Sequence, residues 1–207
     1  MDLQFYGANT IVLTVKGNRV VFDDNLADLG GKSVAKAGDI QLFTGPHAPA
    51  RADAKISFDS PGEYEVADVS ITGIPARAHI DEAGQHNATI FRLQVADTSV
   101  AVVGHVYPEL SDAQLELLNI IDVLFIPVGG NGYTLDPVGA LKLIKKIEPK
   151  LVIPTHYDDG LNYPVPQQPL EEALKVLAME PKETTSKLRV KPADLTDTTQ
   201  LVVLQRP

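Results

Sequence analysis

The first half of the chain alternates short apolar runs with turn residues, a pattern typical of β-strands. Two pairs of apolar runs flank turn residues and predict β-hairpins: 11–15 with 19–22, and 88–95 with 99–103. Further short runs predict four more strands: 40–43, 54–58, 63–66 and 69–72. The first half is therefore expected to form a long series of consecutive strands.

In the second half, apolar runs that predict strands alternate with longer stretches that predict helices. Continuous apolar runs at 123–126 and 151–153 are typical of strands buried on both faces, and 201–204 predicts a closing strand. Three stretches predict helices: 112–118, 136–147 and 169–179. The first follows Ser111, a good N-cap, and the second begins at Asp136-Pro137, with proline in the first turn. A first half made of strands and a second half in which strands alternate with helices together predict an α/β fold. Such a fold has two sheets with helices outside them.

Composition narrows the class of protein. The chain has 207 residues, 44% of them hydrophobic, and we interpret 1–207 as a single domain. It has no cysteine, no apolar run of membrane-spanning length and no signal-peptide pattern at Met1, so we expect a cytoplasmic protein without a membrane partner. The net charge of −9, with no cluster of Lys or Arg, argues against a nucleic-acid partner.

Four of the five histidines come shortly after a predicted strand: His47, His79, His105 and His156. The carboxyl ends of strands in an α/β sheet converge on the ligand crevice, so these four imidazoles are expected to meet there. Neutral imidazole is a common ligand of zinc and related ions. Polar residues also collect in surface turns, so hydrogen-bonded loop histidines are the alternative interpretation. His86 has the surroundings of an ordinary loop residue.

Several stretches resemble the metallo-β-lactamase fold, in the short bacterial branch known as Zn-dependent hydrolases of the β-lactamase fold. They are 60–66, 73–75 leading to His79, 121–130 with Tyr133-Thr134, and 153–157. The resemblance covers nearly the whole chain. It implies an α/β, four-layer αββα sandwich with a metal crevice at one edge of the two sheets.

The chain departs from the family's metal motifs. In 44–50, where the family has T/S-H-x-H-x-D-H, only the second histidine is kept, as His47. His105 stands where the family has the aspartate that bridges two metals, whereas His79 and His156 match the remaining ligand histidines. The other ligand positions of the first motif hold residues that do not bind metals: Gly45, Pro49 and Ala50.

The resemblance therefore implies at most one metal ion. Three or four neutral histidines suit one divalent ion, zinc being the first choice, and a site without any ion is the alternative. The family's water-activating carboxylate is replaced by Pro49. Asp158, which follows His156, is the candidate for a substitute catalytic base, and a solvated turn is the competing interpretation of Asp158 and Asp159.

Two functions remain open at this point. The first is a metal-dependent hydrolase with a remodelled mononuclear histidine site, acting on a small ester, lactone or phosphoester. The second is a non-catalytic family member that uses the crevice as a binding or structural module. Either function implies a small-molecule substrate or ligand, whose identity the sequence does not define, and the oligomeric state is equally undefined.

Overall fold

The structure is a computed structural model that describes residues 1–47 and 49–207. Within these residues the α-helices are α1 (Asp112–Leu118), α2 (Pro137–Ile147) and α3 (Leu170–Leu177), with a 3₁₀ turn at Pro192–Asp194. The strands in chain order are β1 (Asp2–Gly7), β2 (Thr10–Val15), β3 (Asn18–Phe22), β4 (Ile40–Leu42), β5 (Ile56–Phe58), β6 (Gly62–Val66), β7 (Val69–Ala76), β8 (Ala88–Val95), β9 (Thr98–Val102), β10 (Val123–Pro127), β11 (Leu151–Thr155), β12 (Pro181–Thr185), β13 (Leu188–Arg189) and β14 (Gln200–Leu204).

The strands form two sheets that enclose one hydrophobic core. The smaller sheet has the order β13-β1-β2-β3-β4-β5, and the larger has the order β12-β14-β11-β10-β9-β8-β7-β6. Alternate residues of β1, such as Leu3 and Phe5, are completely buried, as the two-residue period of a strand requires. Phe22 of the smaller sheet meets Phe91 of the larger one edge-on, with ring centroids 6.3 Å apart. The core therefore fills the space between the sheets, and it continues under the helices.

The hairpin predicted around Lys16-Gly17-Asn18 is confirmed. Val15 pairs with Asn18, so the turn consists of Lys16 and Gly17. Both turn residues have positive φ, 47° and 84°, as a type I′ hairpin turn requires. The backbone twist of this turn type matches the right-handed twist of the paired strands.

Helices α1 and α2 lie against the larger sheet, and α3 packs on α2. Helix α1 contacts β7, α2 contacts β10, and α3 contacts α2. Helix α2 begins as the sequence predicts, because the Asp136 side chain accepts a hydrogen bond from Gly139 N and Pro137 stands in the first turn. Its buried residues recur at helical spacing, which fixes the face that packs on the sheet.

The outer face of the smaller sheet is covered by the irregular segment 24–39. Val12 and Val21 point outward from this sheet and are buried under Ala35. The Asp24 carboxylate shapes the segment, since its Oδ2 accepts hydrogen bonds from Val34 N and Ala35 N at 2.8 and 2.7 Å. The α/β sandwich expected from the sequence is confirmed, and on this side its outer layer is a loop.

No helix in the described part of the chain is both long and apolar enough to cross a membrane.

Candidate functional site

Two of the predicted histidines are brought together by parallel strands. Strand β10 pairs in parallel with both β9 and β11, so the carboxyl ends of all three lie at the same edge of the larger sheet. His105 follows β9 and His156 follows β11 directly. Their rings meet edge-on, with centroids 4.5 Å apart and an interplanar angle of 84°.

His156 is held in an unusual backbone conformation. Its φ is +52°, and its N–H donates to Ala8 O at 2.8 Å. Ala8 lies in the turn between β1 and β2, so this bond links the two sheets. Only 1% of His156 is exposed. The left-handed backbone is costly for a residue with a side chain, so both sheets are needed to hold this ring in place.

The hydrogen bonds of the two rings define their tautomers. His156 Nδ1 lies 3.0 Å from Gln167 Oε1, and Gln167 Nε2 donates to Val165 O, so the amide oxygen is the acceptor for the ring. His105 Nδ1 lies 3.2 Å from Tyr133 O, a carbonyl that only accepts. Both rings therefore carry the proton on Nδ1 and present an unprotonated Nε2. Histidines that bind metals are oriented in the same way.

Burial keeps both rings neutral. It lowers the pKa of His105 to about 4, with a smaller contribution in the same direction from the neighbouring His79. Burial, followed by the proximity of His105, lowers the pKa of His156 to about 3. Neutral imidazoles with free Nε2 lone pairs are suited to bind a cation.

A cleft of about 780 Å³ opens beside this pair, and three of the four predicted histidines line it. They are His47, His79 and His105, whereas His156 lies behind His105. His79 Nδ1 is buried and has no hydrogen-bond partner among residues 1–47 and 49–207. The other residues around the cleft include Asn9, Asp23, Asn25, Asp59, Ile80, Asp81, Asn87 and Tyr133.

His47 is positioned by different contacts. Its ring stacks on Phe43 with centroids 3.7 Å apart, and its Nε2 lies 3.5 Å from Asp59 Oδ2. The preceding backbone is fixed by Asp23, which accepts hydrogen bonds from Thr44 N and Thr44 Oγ1 at 2.7 and 2.6 Å. Burial raises the pKa of the Asp23 carboxyl to about 6, although these two bonds oppose the change. Ala48, the next residue after His47, lies outside the described residues.

The donor atoms around the cleft match a metal site only in part. No three His, Asp or Glu side chains of the described chain are grouped so that they hold an ion. The His105–His156 pair has the tautomers and the neutral charge of ligands, and His79 supplies a buried nitrogen without a partner in the described chain. The set therefore fits one ion only in part, and the four-histidine ligand set stays a prediction.

The two aspartates after His156 differ in environment. Asp158 is exposed, and its Oδ1 accepts a weak hydrogen bond from Gly160 N at 3.3 Å. Asp159 is turned inward, where its Oδ1 accepts from the Tyr163 hydroxyl at 2.9 Å and burial raises its pKa. Asp158 thus has the surroundings of a turn residue.

Three residues that shape this site had no site role assigned from the sequence: Asn9, Gln167 and Tyr133, which was noted only within the family resemblance. Tyr133 acts through its backbone carbonyl, and Gln167 lies in a proline-rich loop. Neither feature has a local sequence signature. Asn9 does have one, since it is a polar residue in the short turn between two apolar strands.

Comparisons with known proteins agree with the resemblance seen in the sequence. A metal-dependent hydrolase of Desulforamulus reducens is 46% identical over 41 residues, which are 20% of this chain and only 18% of that protein. A metallo-β-lactamase-superfamily protein from Thermotoga maritima, designated a Zn-dependent hydrolase, superposes with a TM-score of 0.76 at 22% identity and covers 99% of both chains. A protein from Parabacteroides distasonis, designated a metal-dependent hydrolase, superposes with a TM-score of 0.68 at 16% identity, covering 99% of this chain and 93% of its own.

These structural likenesses establish the fold. The family model described as the β-lactamase superfamily domain matches residues 2–156, about three quarters of the chain. The chain therefore belongs to the β-lactamase superfamily domain family.

Proposed function

We propose that this chain is a metal-dependent hydrolase-like protein with a remodelled site that holds at most one divalent ion. The contact between the His105 and His156 rings carries the proposal, because each Nδ1 is bound by an oxygen acceptor and each Nε2 keeps its lone pair. The designations of the similar proteins as metal-dependent hydrolases support it.

His79 is the third ligand in this proposal. Its Nδ1 is buried without a partner in the described chain, and its backbone N–H donates to the backbone carbonyl of His105 at 2.7 Å, so the two residues are held side by side. His47 is the fourth candidate, because it lines the same cleft, where Asp59 and Phe43 engage its ring. Imidazole ligands favour zinc and neighbouring borderline ions, so we propose zinc as the ion.

The immediate ring neighbours of the pair favour one ion over two. The ring neighbours of His105 and His156 are Tyr133 and Tyr163, which do not bridge two ions as a carboxylate does. When bound, the ion would lower the pKa of its water and polarise a substrate carbonyl. The chain's own residues would orient the imidazoles and keep them neutral.

Titration of the metal-free, untagged protein with Zn²⁺ tests this proposal. We expect one ion per chain, and we expect His105→Ala and His156→Ala each to weaken binding by at least 100-fold. His79→Ala is expected to weaken it by about tenfold or more. The control is His86→Ala, since His86 is exposed in a loop. Absence of binding, or binding that is the same in His105→Ala, would overturn the proposal.

One observation favours the second function, a non-catalytic binding module. Of the two candidate carboxylates, Asp158 is exposed and Asp159 is bound to Tyr163. A general base typically contributes about 10²–10⁴ in rate. If none of the cleft carboxylates Asp23, Asp59 and Asp81 takes that role either, the site would bind far better than it hydrolyses. Zinc binding at one ion per chain without turnover of simple esters would support this second function.

A further inference from the structure

Asn9 presents a buried hydrogen-bond donor at the cleft. It lies in the turn between β1 and β2, lines the cleft, and is 3% exposed. Its Oδ1 accepts a hydrogen bond from Thr155 Oγ1 at 2.9 Å. Its Nδ2 has no partner in the part of the chain that the structure describes.

The hydrogen bond from Thr155 sets the orientation of the Asn9 amide. Because a hydroxyl donates to Oδ1, the amide group is turned so that Nδ2 is on the opposite side. Thr155 is the last residue of β11 and is 1% exposed, so its own position is fixed. A buried donor without an acceptor is unfavourable in a folded protein, and such a group at a cleft is available to donate to a ligand atom.

The charge of the cleft limits the kind of ligand. Three carboxylates line it, from Asp23, Asp59 and Asp81, and the described lining residues include no Lys or Arg. In the metal-free cleft, these carboxylates repel a phosphate or carboxylate ligand. Pro46 and Ile80 add apolar surface, and Ile80 is 71% exposed. The lining thus suits an uncharged molecule that has both a hydrogen-bond acceptor and an apolar part.

We propose that the cleft binds an uncharged carbonyl compound, such as a neutral ester, lactone or amide, whose carbonyl oxygen accepts a hydrogen bond from Asn9 Nδ2. Thr155 is a positioning residue, since it acts only through the Asn9 amide. A fixed donor aimed at a carbonyl oxygen also stabilises the negative charge that develops there during acyl transfer. The inference rests on the proposed function and narrows its substrate class.

Binding can be measured without metal and without turnover. Metal-free protein labelled with ¹⁵N is titrated with 2-pyrrolidinone, a stable cyclic amide, while the Asn9 side-chain N–H₂ signals are followed by NMR. We expect these signals to shift and saturate with 2-pyrrolidinone and to stay unchanged with acetate. An unmoved Asn9 signal, or an equal response to acetate, would overturn the inference.

Variants assign the effect to the donor. Asn9→Asp keeps the acceptor for Thr155 and removes the donor, and we expect 2-pyrrolidinone to bind at least tenfold more weakly. Asn18→Asp makes the same change at the first residue of β3, which does not line the cleft, and should bind normally. Asn9→Ala serves as a second variant should Asn9→Asp not fold, and equal affinity in a folded variant would contradict the inference.

The role of Thr155 has its own test. Thr155→Val removes the hydroxyl and lets the Asn9 amide rotate, so we expect about threefold to tenfold weaker binding and altered Asn9 N–H₂ signals before any ligand is added. Thr155→Ser should restore both. Zinc titration of the wild-type protein is a separate measurement, so failure to bind metal and failure to bind the carbonyl compound are distinguishable.

Discussion

The imidazole of His156 stands edge-on against that of His105, and an oxygen atom accepts the Nδ1 proton of each ring. Two imidazolium ions in such a buried contact would repel each other strongly, so the arrangement is stable only when the rings are neutral. The family resemblance predicts a bridging aspartate at position 105. Here an imidazole replaces that negative charge, which leaves lone pairs for a cation and removes the bridge that a second ion needs.

Gln167 is expected to support the affinity for metal. Gln167→Leu removes the acceptor for His156 Nδ1–H while keeping a side chain of similar length. Loss of an outer hydrogen bond of this kind typically weakens metal binding by about 10–100-fold. Zn²⁺ titration by calorimetry measures the change, with Gln85→Leu, in an exposed loop, as the control. Affinities of Gln167→Leu and wild type within a factor of two would contradict the role assigned to this glutamine.

The metal-free protein is expected to lose stability in mild acid. The ordinary pKa of a histidine side chain is 6.5, whereas burial lowers the pKa of His105 to about 4 and that of His156 to about 3. Between these values the unfolded chain binds more protons than the folded chain. The stabilising contribution is therefore fully present above pH 6.5 and is lost as the pH falls, at about 1.4 kcal/mol per pH unit for each ring.

Urea unfolding at pH 7.5, 6 and 5 measures this dependence. His156→Gln should flatten it, whereas His86→Gln, which changes an exposed residue, should not. A free energy of unfolding that is constant between pH 7.5 and 5 would show that the two rings are not neutral in the folded state.

The Asp23 carboxyl is expected to change the free energy of unfolding with pH in the direction opposite to that of the two histidines. Burial raises its pKa from 3.8 to about 6, so the folded chain binds more protons than the unfolded chain between these values. Its contribution is present below pH 3.8 and is lost as the pH rises through about 6. Asp23→Asn removes this opposing effect and should make the loss of stability between pH 6 and 4 steeper. Asp28→Asn, at an exposed position, should leave the slope unchanged.

Much of the fold could be predicted because its signals are local. The Lys16-Gly17 turn, the Asp136-Pro137 helix start and the apolar run of β10 each depend on a few neighbouring residues. Strand β12 (Pro181–Thr185) gave no such signal. It is a largely exposed edge strand, and its pairing with β14 is set by tertiary contacts.

The part of the site that could be predicted is the part built from residues at the ends of strands. Parallel pairing of β9, β10 and β11 brings His105 and His156 together, as the positions of the histidines after strands indicated. The partners that set their tautomers, Tyr133 O and Gln167 Oε1, come from loops that lie 28 and 11 residues further along the chain than the rings they bind. No residue pattern encodes such contacts, so the ring orientations could not be predicted.

Gly129 is expected to be required for the position of Gln167. A Cβ atom at this residue would overlap both Gln167 Oε1 and His156 O. Gly129→Ala should therefore destabilise the protein by about 1–3 kcal/mol, the usual cost of overpacking. Gly45→Ala is the matched control, because its Cβ would meet no atom of the described chain within 4 Å. Chemical denaturation compares the two, and equal stabilities would contradict the tight packing around Gln167.

Asp158 is expected to have no catalytic role. Its side chain is exposed and caps Gly160 N, whereas a general base must reach the water that it deprotonates. With zinc added, we expect turnover of p-nitrophenyl acetate well below about 10 s⁻¹, the rate of an ordinary enzyme. Asp158→Asn should change this rate by less than twofold, as should Asp28→Asn at another exposed position. A 100-fold loss in Asp158→Asn alone would identify Asp158 as the missing base, and the turn 158–160 would then have to rearrange when substrate binds. The low rate expected of the wild type has its own physical reason. His105 stands where the family has the bridging carboxylate, so the second ion that would stabilise the leaving oxygen is not held.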